Sequence, residues 1–259
     1  MFRGIMEPNE LQGIIQIVRS ASTKILEIYN QNFEVQYKQD ESPVTLADKI
    51  AEETIINGLV KLFPEIPRIA EESFTHDTKL LATNSPFFLI DPLDGTKQFV
   101  NREGEFTVNV ALIEQRIPTM GIIHIPVTNT TYWTSGDNNA WRQLADNEPE
   151  IIRCTKADPS ALRVIMSKSH INEQTESYLE SLPVGERVHA GSSLKFCRIA
   201  EGEADLYPRF GSIMEWDIAA GHAILSAAGG SVTEFDGRPI LYGHKTFRAP
   251  YFLATGILP

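Results

Sequence analysis

The chain has little sulfur and no long apolar run. Its 259 residues include two cysteines, Cys154 and Cys197, too few for a disulfide framework and in keeping with a reducing compartment. No stretch supplies the roughly 20 apolar residues that a membrane span needs. Residues 1–11 carry charges and a proline and lack the pattern of a secretory leader. Cations are scarce as well: 23 Lys and Arg against 34 Asp and Glu give a net charge of −11. That balance argues against nonspecific nucleic-acid binding, which uses clustered Lys and Arg. An anionic substrate would need a metal ion and a few placed cations to meet it. No internal repeat and no low-complexity segment occurs. The 42% of hydrophobic residues is enough to bury a substantial core, as one large domain or two small ones.

Apolar spacing orders the chain. Leu11, Ile14, Ile15, Val18, Ile25 and Tyr29 predict a helix over 9–30, and Ala47, Ala51, Ile55 and Leu59 a second over 45–62, stopped by Pro64. Residues 41–44 and 75–85 read as loops. Strands are expected over 87–90, 107–114 and 120–125, with a hairpin from 130–135 to 140–143 around Gly136-Asp137-Asn138-Asn139. The strand pattern lapses near 155–160, which places a boundary between a domain at 1–155, with two helices and a largely antiparallel sheet, and a domain at 156–259. In the latter, strands at 162–167, 204–207, 231–234 and 251–254 alternate with helices at 174–182, 192–200 and 217–228, an α/β pattern.

The stretch Phe87-Phe88-Leu89-Ile90-Asp91-Pro92-Leu93-Asp94-Gly95-Thr96 is the most informative. It predicts an apolar strand that ends in a tight turn bringing Asp91 and Asp94 to one side. Pro92 fixes φ there, and Gly95 permits a positive φ. Thr96 is expected to cap the next segment, whose free N–H groups suit a phosphate. Hard carboxylates beside a phosphate seat suit Mg²⁺. Further acids stand at Glu71-Glu72, at Asp217 opening a helix of small residues, and at Asp48. Each has a plainer reading: Asp48 with Thr45 fits a capping box, Asp217 fits a helix start, and Glu71-Glu72 fits a solvated pair. A cluster of buried carboxylates without cations would be costly.

The combination of Asp91-Pro92-Leu93-Asp94-Gly95-Thr96, Trp216-Asp217-Ile218-Ala219-Ala220-Gly221 and the upstream Glu71-Glu72-Ser73 resembles the inositol monophosphatase superfamily of Mg²⁺-dependent, lithium-sensitive phosphatases. Gly104-Glu105-Phe106-Thr107-Val108-Asn109, Gly191-Ser192-Ser193-Leu194-Lys195-Phe196-Cys197 and Leu206-Tyr207-Pro208-Arg209-Phe210-Gly211 bring it nearer to the bacterial 3′(2′),5′-bisphosphate nucleotidases of that superfamily. The resemblance implies an α/β fold, an αβαβα layered sandwich of the inositol monophosphatase and fructose-1,6-bisphosphatase type, with the site between the two domains. It implies hydrolysis of 3′-phosphoadenosine 5′-phosphate to AMP, and of its 5′-phosphosulfate relative, by a metal-activated water. Glu71, Asp91 and the Leu93 carbonyl would hold one Mg²⁺, and Asp91, Asp94 and Asp217 a second, with a third, weaker ion near Glu71. Asp48 and Thr96 would orient the attacking water, and Gly95 and Thr96 N–H groups would hold the scissile phosphate. Lys195, Arg209, Ser192 and His170 would meet the rest of the nucleotide. The expected setting is cytoplasmic, or peripheral on the cytoplasmic face of the inner membrane, as a monomer or homodimer. An inositol or sugar monophosphatase on the same fold is the near alternative. A non-catalytic metal- or nucleotide-binding regulator is the distant one.

Overall fold

The structure, a computed structural model, describes residues 6–37, 43–75, 85–167 and 172–258. The chain opens with α1 (Pro8–Tyr29), the strand pair β1 (Val35–Tyr37) and β2 (Pro43–Thr45), and α2 (Leu46–Leu62). A seven-stranded sheet follows, from β3 (Arg68–Ala70) and β4 (Phe87–Asp94) through the short α3 (Thr96–Val100) to β5 (Thr107–Glu114), β6 (Ile117–Ile125), β7 (Thr130–Thr134), β8 (Ala140–Leu144) and β9 (Glu150–Ile152). Its strands lie in chain order; β3 runs parallel to β4 and the other pairs are antiparallel.

The second sheet comes from β10 (Leu162–Met166), β11 (Val184–His189), β12 (Leu206–Arg209), β13 (Ser231–Thr233) and β14 (Phe252–Thr255). Its order is β11-β10-β12-β14-β13. Among these strands run α4 (Glu173–Glu180), α5 (Leu194–Ala200) and α6 (Glu215–Ala227). Short pieces such as β1, β3, β9 and β11 escape the sequence pattern because three residues carry no periodicity, and β11 is a mostly exposed edge.

The layers follow from strand alternation. Phe88 and Ile90 of β4, Val108, Val110 and Leu112 of β5, and Met120 and Ile122 of β6 face α1 and α2 in one core. Phe87, Leu89, Ala111, Ile113, Ile123 and Ile125 face the other way, into a core shared with α5, α6 and the second sheet. Covering both faces explains why these strands read as unbroken apolar runs. Leu179 of α4, flanked by Tyr178 and Leu182, closes the outer face of the second sheet over Val164, Met166 and Leu206. The result is the αβαβα sandwich. The helix α6 lies close on β6: a Cβ on Gly121 would overlap the Ala220 carbonyl oxygen and come within 3.0 Å of Ala223 Cβ. On the helix's other side, a Cβ on Gly221 would overlap the Phe196 ring.

Two local expectations are corrected. The strand β4 does not stop at Ile90 but runs on to Asp94 through a bulge. Asp91 pairs with Asn109 and Asp94 with Thr107, so three steps on β4 match two on β5. Asn109 and Thr107 share a face, and the extra residue therefore puts Asp91 and Asp94 on one face as well. The second correction concerns Thr96, which does not cap α3. Gly95, at φ +95°, holds that position, and the Thr96 hydroxyl turns to other partners. The loop expected at 41–44 ends in β2, and residues 41 and 42, like most of 75–85, lie outside the described residues.

Candidate active site

The face of β4 that carries Phe87 and Leu89 also carries Asp91, and α6 packs over it. Asp217, in the first turn of α6, thereby meets Asp91, while β3 delivers Glu71 beside β4 through the hydrogen bond from Glu71 N–H to Ile90 O (3.1 Å). Carboxylate oxygens of Glu71, Asp91 and Asp217 lie within 4.8 Å of one another. Phe74 packs on Trp216 and Phe247, with ring centroids 5.4 Å apart in each pair, and so ties the Glu71 turn to the start of α6.

One cleft gathers Glu71, Asp94, Gly95, Thr96 and Asp217 with Ser192, Lys195 and Arg209. Asp91 lies under its floor, 1% exposed, and His170 falls outside the described residues. The cleft also includes residues outside the quoted motifs, among them Lys97, Gln98 and Ser212.

Asp91, Asp217 and Asp94 each place one carboxylate oxygen against nearby protein donors, and Asp48 places both. Asp91 Oδ1 accepts from Leu93 N–H (3.0 Å) and Asp217 Oδ2 from Met214 N–H (2.9 Å). Asp94 Oδ2 accepts from the Ser193 hydroxyl (2.8 Å). Asp48 Oδ2 accepts from Thr45 N–H and Thr45 Oγ1, both at 2.7 Å, and its Oδ1 lies 3.2 Å from the Thr96 hydroxyl. The capping box and the Thr96 contact are therefore both present, one on each oxygen of Asp48. The single Thr96 hydrogen can go to Asp48 or to Leu93 O, 3.3 Å away. That carbonyl sits in the bulge, without a partner on β5 in the strand register.

Burial pushes the Asp91 and Asp217 carboxyls well above the usual range, and neighbouring carboxylates push them further: Glu71, Asp94 and Asp217 on Asp91, and Asp94 and Glu71 on Asp217. Burial raises Asp94 too, opposed by the Lys195 ammonium and the Ser193 hydroxyl. Burial lowers Lys195 to about 8, and Asp94 holds it up in part. Lys195 donates to Ser192 O (2.6 Å) and lies 5.2 Å from the Tyr207 ring centroid. Arg209 Nε is buried without a hydrogen-bond partner.

These observations test whether a cation fits. Several buried acids that resist ionising together are stabilised by a cation among them. The donors are all oxygens, with no His or Cys in the group, which favours a hard ion such as Mg²⁺ over zinc. The residues fit the group.

Two polar residues behind the acids stand in stretches that carry the resemblance, but the motifs assign them no role of their own. Asn109, in the apolar strand β5, and Ser193 are each 1% exposed, and Asn109 Nδ2 donates to Ser193 Oγ at 2.8 Å. A lone amide in the run Val108-Asn109-Val110 was the available signal.

Comparison with known proteins places the chain among relatives of similar sequence and fold. The chain is 40% identical over 248 residues to the 3′(2′),5′-bisphosphate nucleotidase CysQ of Salmonella typhimurium, covering 95% of this chain and 99% of that one. It is 42% identical over 234 residues to the CysQ of Buchnera aphidicola, covering 90% and 87%. The crystal structure of CysQ from Bacteroides thetaiotaomicron, described as a bacterial member of the inositol monophosphatase family, superposes with a TM-score of 0.81 at 33% identity, over 96% of this chain and 97% of that one. Residues 9–257 match the family model described as the inositol monophosphatase family. With its acid motifs in order along the sequence and Glu71, Asp91 and Asp217 meeting in space, the chain belongs to the inositol monophosphatase family.

Proposed function

We propose that the chain is a Mg²⁺-dependent 3′(2′),5′-bisphosphate nucleotidase that hydrolyses 3′-phosphoadenosine 5′-phosphate to AMP and phosphate. The observation that carries the reading is a single cleft holding an acid cluster together with Lys195 and Arg209. Acids that hold a metal suit any phosphate ester. Two cations beside them suit a substrate with a second phosphate, for which an arginine fork is well shaped. Relatives at about 40% identity carry this activity in their names.

In this reading Glu71, Asp91 and the Leu93 carbonyl would hold one ion, and Asp91, Asp94 and Asp217 a second, where Mg²⁺, when bound, would supply charge neutralisation for the phosphoryl group and a more acidic water. The protein's part is positioning. Thr96, with its hydroxyl beside Asp48 Oδ1, orients the attacking water, and the N–H groups of Gly95 and Thr96 hold the scissile phosphate. Lys195 and Arg209 meet the second phosphate, and Ser192 the nucleotide end. A cytoplasmic setting belongs to the same proposal; no described helix is long and apolar enough to cross a membrane, and Cys154 and Cys197 are free and buried. So does the division near residue 155, supported by strand pairing that keeps one sheet within 68–152 and the other within 162–255.

The test is phosphate release from 3′-phosphoadenosine 5′-phosphate beside inositol 1-phosphate, with and without Mg²⁺. Strong Mg²⁺-dependent release from the nucleotide alone supports the reading. Preference for the inositol ester leaves the acid cluster its role and removes the second-phosphate argument. Release from neither favours a binding protein.

Arg209→Ala separates the parts. A charged hydrogen-bond partner contributes about 1.5–3 kcal/mol, so kcat/KM for the bisphosphate should fall by about 10²-fold. Any activity on inositol 1-phosphate, which has no second phosphate, should stay within about threefold. Equal losses on both substrates would remove Arg209 from second-phosphate recognition.

A further inference from the structure

Between the two sheets lies a hydrogen-bonded junction that the reaction as described does not use. Ser193 Oγ is 2.8 Å from Asp94 Oδ2, 2.7 Å from the main-chain oxygen of Asp217, and 2.8 Å from Asn109 Nδ2. The amide also reaches Asp94 Oδ2 directly, at 3.4 Å. A hydroxyl has one hydrogen to donate. Asn109 fills an acceptor site of the hydroxyl, so that hydrogen goes to Asp94 or to the Asp217 carbonyl. A carboxylate is the stronger acceptor.

The orientation of the amide agrees. Its nitrogen faces Ser193 and Asp94, and its oxygen is left buried without a partner. An amide turned the other way would set oxygen against a carboxylate. The loop that presents Ser193 is itself fixed. Gly191 N–H donates to Glu105 Oε2 (2.8 Å), the Ser192 hydroxyl to Glu105 O (3.3 Å), and Lys195 Nζ to Ser192 O (2.6 Å). Ser192 is held at φ +42°, a conformation non-glycine residues keep only when their surroundings impose it.

We propose that Ser193, supported by Asn109, is a positioning residue for the metal site. Its hydroxyl takes Asp94 Oδ2 and leaves Oδ1 as the oxygen that meets a cation. That bond ties Asp94, on the first sheet, to the loop that leads into α5, and the main-chain oxygen of Asp217 lies alongside, 2.7 Å from the same hydroxyl. This inference rests on the metal assignment above, and its test reads cation binding separately from turnover.

Calorimetric titration of the full chain with Mg²⁺ alone, without nucleotide, is the measurement. Ser193→Ala should weaken Mg²⁺ binding by about 30-fold, within the range for residues that orient metal ligands. KM for the nucleotide at saturating Mg²⁺ should move by less than about twofold. Ser193→Thr, which keeps the hydroxyl, should recover most of the affinity. A merely structural role would lower the melting temperature of the metal-free protein and leave Mg²⁺ affinity unchanged, and that result overturns the proposal. If Ser193→Ala does not fold, Asn109→Ala reads the same carboxylate oxygen from the β5 side, and wild-type Mg²⁺ affinity in it overturns the proposal equally. If the unsubstituted chain takes up no Mg²⁺, the metal assignment and this proposal fall together.

Discussion

Asp91→Asn should melt higher than the unsubstituted chain in chelator, gain almost nothing from Mg²⁺, and lose about 10³-fold in turnover of 3′-phosphoadenosine 5′-phosphate. The three effects have one source. Asp91 is 1% exposed and surrounded by Glu71, Asp94 and Asp217. Without a cation its charge is a cost, and the isosteric amide removes the charge while Oδ1 can still accept from Leu93 N–H. The pH sign agrees. Burial and the neighbouring carboxylates raise the folded-state pKa of Asp91 well above that of an ordinary carboxyl, so its contribution to stability is present below the ordinary pKa and is lost as pH rises through the folded one. The metal-free protein should lose stability toward neutral pH, and the variant should lose less. With Mg²⁺ at about 100 times its Kd, the unsubstituted chain gains about 2.7 kcal/mol, which the variant forgoes. The loss of turnover follows from about 4 kcal/mol of charge stabilisation in the transition state. Melting curves with and without Mg²⁺, beside a phosphate-release assay, check all three. Wild-type turnover in this variant would remove Asp91 from the metal site.

Gly121→Ala should cost about 3 kcal/mol, at the upper end of ordinary overpacking, or about 9 °C in melting temperature at roughly 2–4 °C per kcal/mol for a chain of this size. A methyl group is a small addition, but its neighbour here is the Ala220 carbonyl, main chain within a helix, with no side chain to swing aside. The helix α6 must lift from β6, and Asp217 rides on it. Mg²⁺ affinity should therefore fall together with stability. Thermal melting and Mg²⁺ titration of the same preparation test this. A variant that melts within about 2 °C of the unsubstituted chain would mean that α6 has room to move that the packing does not show.

Much of this was open to reading from the sequence, for stated reasons. The strands β4, β5 and β6 are buried on both faces, so their apolar runs are unmistakable. The long amphipathic stripe of α1 and the capping box that starts α2 are legible too. The acid-bearing segments at Glu71, at Asp91 to Asp94 and at Asp217 could be recognised because their order and spacing are distinctive. The bulge at Asp91–Asp94 was not legible. A turn and a bulge both use Pro and Gly to bring acids three apart to one side, and only the pairing with Asn109 and Thr107 separates them. Thr96 misled because Thr near a helix start usually caps, whereas here Gly95 takes the cap position and Thr96 is the first residue of the helix, its hydroxyl donating toward Asp48, 48 positions away. Ser193 and Asn109 were hidden because their partners are distant in sequence, and their significance exists only once the two sheets are assembled.

The sharing of one core between both sheets bears on how the chain comes together during synthesis. By residue 152 all seven strands of the first sheet have been made, and α1 and α2 are there to cover one face. The other face, with Phe87, Leu89, Ala111, Ile113 and Ile123, waits for α5 and α6, which emerge only with residues 194–227. A nascent chain of that first length would hold a full set of paired strands and a bare apolar surface. The acids of β4 would stand without Asp217 and without the loop that fixes Asp94. Strand pairing thus stays within 68–152 and within 162–255, while the core between the two sheets and the acid cluster draw on both segments, so that core and the site are complete only when both are present.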